Sequence, residues 1–442
     1  PSKNPDYQSS EYKLLCLEKT KFIYDTMTSL KDKLIANNQI DLYNNIELPL
    51  TTVLAKMELN GIRVDKSILE EMKEEIKVKI ELISKDIYNL AGHEFNISSP
   101  KQLGVVLFEE LKLPSGKKNK TGYVTDANTL GKLIEYPIIK LILEYRLLNK
   151  LYTTYLEGIL NSVMPDGKIH TIYTQALTRT GRLSSIEPNL QNIPVRNEFG
   201  RLIRKAFIPE ENSTIMSSDY SQIELRIFAH LSKVKELIDA FNNRQDIHTK
   251  TAMDIFKVPD YAVTKNMRRQ AKAVNFGILY GISPYGLAED LGISPKEAKQ
   301  FIETYFETYP GIKDYMNREI ALAHQTGYVK TIMNRTRTIE ELTSSNYLQR
   351  SMGERMALNT PIQGSSADIL KKAMVEIDES FTKEKLKSTM LLQVHDELIF
   401  NVLNDEKEKV KNIVKTIMES TITLDVPLEV DIEFGSNWYD AK

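Results

Sequence analysis

The chain has 442 residues with 58 Lys and Arg against 60 Asp and Glu, a net charge of −2. It is no polycation, and any hold on nucleic acid must come from local patches, the densest being Lys265 to Lys272. Its 41% hydrophobic and 27% charged residues are ordinary for a folded protein, and no apolar run approaches the roughly 18 residues of a bilayer span, which excludes an integral helical membrane protein. The single cysteine, Cys16, excludes an internal disulfide and a cysteine-built zinc site. The length exceeds one core, so about two to four subdomains are expected. The polar start, Pro1 to Ser10, shows no secretory signal, and a reducing compartment fits.

In chain order, residues 1 to about 45 read as a helix with a polar lead. From Asp65 to Leu90, Ile68, Leu69, Met72, Ile76, Ile80, Ile83 and Ile87 recur at helical spacing among Lys and Glu, which predicts a long amphipathic helix. Pro114-Ser-Gly116 and Thr121-Gly122 punctuate a lysine-rich loop, Lys117 to Lys120, before further helix through Tyr145 to Glu157. From Gly167 the texture changes to short β-prone pieces, and a mixed α/β core begins. Residues from about 226 to 360 are mainly helical. Residues 386 to 403 read as two strands around His395-Asp396-Glu397, followed by a helix and a last strand near Leu428 to Phe434.

Two acidic segments stand out, Asp219-Tyr-Ser-Gln-Ile-Glu-Leu-Arg226 and Gln393-Val-His-Asp-Glu-Leu398. Each sets an aspartate at the end of an apolar run that reads as a buried strand, a costly place for a charge unless a cation neutralises it. If both strands share a sheet, the carboxylates can meet at its edge and hold two divalent ions for displacement at phosphorus. Either segment taken alone reads better as a strand-end aspartate capping a turn or helix. Between them, Arg268, Lys272, Phe276 and Tyr280 recur at four-residue steps on one helix face, two cations followed by two aromatics. Such a face can hold a triphosphate and stack a ring on sugar or base. Gly277, inside that helix at a cost of roughly 1 kcal/mol, suggests that something approaches the backbone closely. An amphipathic core helix with solvated cations is the alternative.

Together these segments resemble the family A DNA polymerases. Asp219 to Arg226 is similar to that family's motif A, Arg268 to Gly281 to motif B, and Gln393 to Leu398 to motif C, in the family's order. Thr180-Gly-Arg-Leu-Ser-Ser185, Pro188 to Arg196 and Asn359-Thr-Pro-Ile-Gln-Gly364 extend the likeness, which covers the chain from about Glu47 onward. The resemblance implies an α/β (mixed α+β) right-hand architecture with an antiparallel-sheet palm, helical fingers and helical thumb. It divides the chain into a remnant of an upstream exonuclease-like domain or linker (1–45), thumb (46–165), palm (166–225 and 365–442) and fingers (226–364).

Carried over position by position, Asp219, Asp396 and the carbonyl of Tyr220 would bind two Mg²⁺ ions, with Mn²⁺ as a substitute. Glu397 would support them, and Lys272 would give a proton to the leaving pyrophosphate. Tyr220, Gln222, Ile223, Glu224, His248, Arg268, Lys272, Phe276 and Tyr280 would bind the dNTP. Glu224 and Tyr280 would wall off a ribose 2′ hydroxyl, and Phe276 would sense the 3′ hydroxyl. Arg146 and Lys150 would touch DNA phosphates. Arg182, Asn189, Gln191, Asn192, Arg355, Asn359, Gln363, Gln393 and His395 would line the primer-template. The expected partners are primer-template DNA and dNTPs, with no membrane, for a monomer in a bacterial cytoplasm; phage or organellar origin stays open. A single-subunit RNA polymerase and a silent nucleic-acid-binding relic are the alternatives. Glu224 argues against the first and the intact acidic pair against the second.

Two departures from the family matter. Asn334-Arg-Thr-Arg-Thr-Ile-Glu340 stands where Gly-Arg-Arg and a closing proline are usual, which leaves template contacts there open. Tyr12 to Thr20 is similar to the tail of a proofreading domain but carries Cys16 and Glu18 where aspartates are usual, so no proofreading is expected.

Overall fold

The computed structural model of the protein describes residues 6–114, 118–120, 122–194 and 198–442. The polar lead Pro1 to Pro5, the loop positions Ser115 to Lys117, Thr121, and Val195-Arg196 of the Pro188 to Arg196 stretch lie outside the described residues.

The first long helix, α1 (Ser10–Ala36), is capped by Ser9 and has no buried residue. The second, α2 (Lys66–Ala91), is capped by Asp65, ends at the left-handed Gly92, and buries Leu69, Ile76, Ile83 and Ile87. That apolar stripe packs on α3 (Pro137–Lys150) and is what anchors the helix, because propensity alone leaves a helix marginal. A small antiparallel sheet of Ile62–Val64, Lys168–Ile169 and Phe207–Ile208 closes this part of the chain.

The central element is a four-stranded antiparallel sheet of β1 (Ser213–Tyr220), β2 (Thr389–Val394), β3 (Glu397–Leu403) and β4 (Val430–Gly435), in the order β2-β3-β1-β4. Successive strand residues point to opposite faces, so the sheet feeds two cores. Met216, Leu398, Phe400, Val402 and Val430 enter one core with α4 (Ile223–Ser232), α5 (Ile247–Phe256), α6 (Lys265–Leu279), α7 (Tyr347–Lys383) and α8 (Lys407–Ser420). Ile215, Val394 and Ile399 enter the other, with α2 and α3. A register shift between Met390 and Leu392 lets Leu391 and Leu392 both join this second core, as a bulge does. Phe400 is fully buried, and truncating it to alanine would cost about 3–5 kcal/mol.

Helix α7 runs unbroken through position 364, with Pro361 inside it. Near its middle a four-charge cluster ties distant parts of the chain together. Glu47 accepts from Lys371 at 2.8 Å and from Arg335, and Arg335 donates to Asp368 at 2.7 Å. Asp368 and Lys371 are fully buried. Among the described residues no helix is long and apolar enough to cross a membrane.

Candidate active site

The hairpin register brings the two acidic segments together. Strand β3 pairs antiparallel with β1 from Leu403 opposite Ser213 to Glu397 opposite Asp219, and the Tyr220 amide donates to the Asp396 carbonyl at 3.3 Å. The β2–β3 turn is only His395-Asp396, with φ of 57° at His395. Positive φ is what a two-residue hairpin demands, and histidine tolerates it better than a branched residue. Asp396 Oδ1 accepts from Ser366 on α7 at 3.0 Å. Burial, with the nearby charges of Glu397 and Asp396, pushes the Asp219 carboxyl up to about 6 despite opposition from Lys442.

Glu397 is held differently. Its Oε1 accepts from Ser217 Oγ at 2.7 Å and Trp438 Nε1 at 3.2 Å, its Oε2 accepts from Lys442 Nζ at 3.0 Å, and the Arg204 guanidinium lies 3.7 Å away. Among the described residues no group of three or more His, Cys, Asp and Glu is arranged to hold a metal ion. The donor set available is therefore the two aspartates and backbone oxygen, all hard ligands of the kind Mg²⁺ takes.

Where β1 passes into α4 the chain turns through Gln222, whose φ is 53° and whose buried Oε1 has no hydrogen-bond partner among the described residues. A strained residue with an orphaned acceptor is typical of a functional turn. Ile223 is buried behind it, and Glu224, one position on, is almost fully buried. Glu224 accepts from Tyr280 and, at 2.6 Å, from Arg182. Burial raises the Glu224 carboxyl, against the pull of those two donors. Arg182, expected to face the primer-template, gives its Nη2 to Glu224 while its side chain stays about a third exposed.

Helix α6 begins at the Thr264 cap and presents Arg268, Lys272 and Phe276, with Tyr280 just past its last turn. Arg268 donates to Asp246 at 2.5 Å, while Lys272 is exposed and has no ion-pair partner among the described residues. Burial works against the Asp246 charge, but Arg268 and the Thr249 amide hold its carboxyl at about 2. His248 is buried and receives an Nδ2–H···Nδ1 bond from Asn275 at 3.1 Å; burial pushes it down to about 4, so it is a neutral imidazole near pH 7. Phe276 lies 5.8 Å from the His248 ring and stacks on Tyr280 at 6.3 Å. The close approach expected at Gly277 is made by the chain's own Ile282: a Cβ there would sit 2.7 Å from Ile282 Cγ2.

Of the remaining expected DNA-facing residues, Gln191 donates to the side chain of Gln393 at 2.9 Å, and Gln393 donates to the His395 carbonyl at 2.6 Å. Asn189 caps the turn at Gln191, the bland role that such residues often take, and Asn192 is exposed. Arg355, Asn359 and Gln363 recur at four-residue steps on α7, a row that leads toward Ser366 and Asp396. The buried Oδ1 of Asn359 lacks a partner among the described residues. Lys150 is exposed, but Arg146 is half-buried and donates to the carbonyl and hydroxyl of Thr125, so it ties a loop to α3.

Sequence reasoning missed Ser366, Asp246, Asn275, Arg204, Trp438 and Lys442. Only Asp246 carried a readable signal, an aspartate three residues before Thr249 in a helix-capping pattern, and it could have been found.

With this sheet, carboxylate pair and cationic helix in view, the chain belongs to DNA polymerase family A, whose model matches residues 66–440. It is 55% identical over 415 residues to DNA polymerase I of Bacillus caldotenax, covering 93% of this chain and 47% of that protein. To DNA polymerase I of Bacillus subtilis it is 53% identical over 421 residues, covering 94% of this chain and 48% of that protein. The chain therefore spans about half the length of the curated relatives it matches. Among solved structures, the POL domain of Pol1 from M. smegmatis, in complex with DNA primer-template and dNTP, superposes with a TM-score of 0.91 at 44% identity, covering 95% of this chain and 74% of that one.

Proposed function

We propose that this chain extends a DNA primer on a template, adding deoxynucleotides to the 3′ hydroxyl. The observation that carries the reading is the hairpin register that stands Asp396 beside Asp219, with the cationic helix tied to the following turn through Tyr280 and Glu224. The M. smegmatis domain, named for its complex with primer-template and dNTP, supports carrying the same partners to this chain.

Asp219 and Asp396, with the Tyr220 carbonyl, are the residues that would hold divalent metal, and their fit is in the donors. Among the described residues Asp219 Oδ2 has one ion-pair partner, the Lys442 ammonium at 3.6 Å, and Asp396 Oδ1 accepts from the Ser366 hydroxyl. When bound, two Mg²⁺ ions would activate the primer hydroxyl and stabilise the charge on the departing pyrophosphate. The chain's own groups do the rest. Arg268 would exchange Asp246 for the triphosphate, Lys272 would approach it as a charge and proton donor, and neutral His248 would offer its free ring nitrogen. Glu224, fixed by Tyr280 and Arg182, would stand where a 2′ hydroxyl must go and so select deoxyribose. Phe276, between His248 and Tyr280, has no hydroxyl to stand in for a missing 3′ hydroxyl and would disfavour dideoxynucleotides, and Phe276→Tyr should ease their entry. The division into thumb (46–165), palm (166–225, 365–442) and fingers (226–364) follows from the same reading.

Primer extension with Mg²⁺ and dNTPs, run beside NTPs and beside Asp396→Ala, tests it. Extension with dNTPs alone that disappears in the variant is expected; extension that survives Asp396→Ala would sink the mechanism.

A further inference from the structure

Around Glu397 the chain supplies two cations where one would balance the charge. Arg204 is almost fully buried, its guanidinium lies 4.0 Å over the Trp438 ring, and its charge faces Glu397 at 3.7 Å. Its Nε and Nη1 make no hydrogen bond among the described residues, so its contribution there is charge and stacking rather than a bidentate fork. The second cation, Lys442, reaches the same carboxylate from the solvent side, 3.0 Å from Oε2, and its side chain is 46% exposed. From there its ammonium extends to Asp219 Oδ2 at 3.6 Å. Ser217 and Trp438 already fill the other oxygen of Glu397. The carboxylate that remains underused is Asp219, and the cation in surplus is Lys442.

We infer that Lys442 is a positioning residue that acts as a built-in counter-ion of Asp219: it competes with the divalent ion there and so sets how tightly the acidic pair takes up metal. The inference rests on the proposed metal role of Asp219 and Asp396. Its physics is simple. A fixed positive charge next to a carboxylate lowers that carboxylate's free energy before metal arrives, and repels a doubly charged ion afterwards. Both effects weaken metal binding. Because Lys442 is half-exposed, solvent reduces the effect, and a change of roughly three- to tenfold in affinity is the scale to expect rather than several powers of ten. Glu397 is the arm that holds the ammonium in place, which gives this buried acid a task without making it a ligand.

The test is Mn²⁺ binding to the whole chain without DNA or nucleotide, followed by the electron paramagnetic resonance signal of free Mn²⁺. Wild type is compared with Asp219→Asn, Lys442→Met and Lys442→Arg. Emission from Trp438, the one tryptophan of the chain, checks that the surroundings of Glu397 are unchanged. Lys442→Met should bind Mn²⁺ roughly three- to tenfold more tightly than wild type, and Lys442→Arg, which keeps the charge, should bind as wild type does. Unchanged or weaker binding in Lys442→Met overturns the inference while leaving the metal role of Asp219 intact. If Asp219→Asn binds Mn²⁺ as wild type does, that metal role fails and the inference with it.

Discussion

The acidic strand ends and the basic helix carry opposite charges by different structural means. Asp219 and Asp396 are short side chains on a sheet whose register runs unbroken from Ser213 to Asp219, and burial, with the neighbouring acids Glu397 and Asp396, pushes Asp219 upward. Arg268 and Lys272 are long side chains on the outer face of α6; Arg268 is 44% exposed and rests on a surrogate anion, Asp246. The carboxylates stand on short stems at the strand ends, whereas the cations end long, many-jointed side chains. On the proposed reading, metal would relieve the mutual repulsion of the acids at the sheet edge, whereas α6 would trade Asp246 for another anion.

This contrast can be broken from the acidic side first. Asp219→Asn should lower single-turnover primer extension at least about a thousandfold, since it removes a group that acts on the reacting charge itself; a loss under tenfold would mean the sheet edge is not the reactive end. On the basic side, Arg268→Ala should raise KM for dNTP by about ten- to a hundredfold, as expected for a charge-assisted contact to phosphate. An unchanged KM would leave Arg268 a mere partner of Asp246. Glu224→Ala should narrow the preference for dNTP over NTP by about tenfold or more, read from the two kcat/KM values side by side.

The smallest effect concerns His248, which packs against α6. Its folded-state value of about 4 lies below the ordinary 6.5. The unfolded chain therefore binds a proton that the folded chain refuses. Stability from this group is complete above about pH 6.5, is lost progressively as the pH falls toward 4, and changes no further below that. Between pH 7.5 and 4.5 the unfolding free energy should fall further in wild type than in His248→Gln, by at most roughly 2.5 kcal/mol. Equal differences would show that His248 is protonated as easily in the fold as out of it.

Much of this was legible in the sequence because it rests on periodicity. The stripe from Leu69 to Ile87 appears as α2, with Asp65 and Gly92 as its ends, and the apolar runs before Asp219 and Asp396 appear as β1 and β2. The family's motifs supplied the pairing of those strands, which no local pattern contains. What was not legible depends on contacts between distant positions. Nothing local distinguishes Arg204 from Arg201, or marks Lys442 as the neighbour of Asp219, 223 positions away. Nor does the sequence reveal that Arg182 and Arg146 donate within the chain, to Glu224 and Thr125. Helix α1 shows the converse, since its residues make a long helix that buries none of them.

The cluster of Glu47, Arg335, Asp368 and Lys371 has a practical meaning for anyone shortening this chain. A version starting at Leu48 would keep the whole sheet, both aspartates and α6, and by motif content would look complete. It would also strip one of two anions from a pair of cations, one of which, Lys371, is fully buried. Removing one member of such a group commonly costs about 3–5 kcal/mol, a large part of what a domain has to spare. The smallest usable piece of this protein is therefore set by an ion pair, far ahead of Thr180, where its recognisable motifs begin.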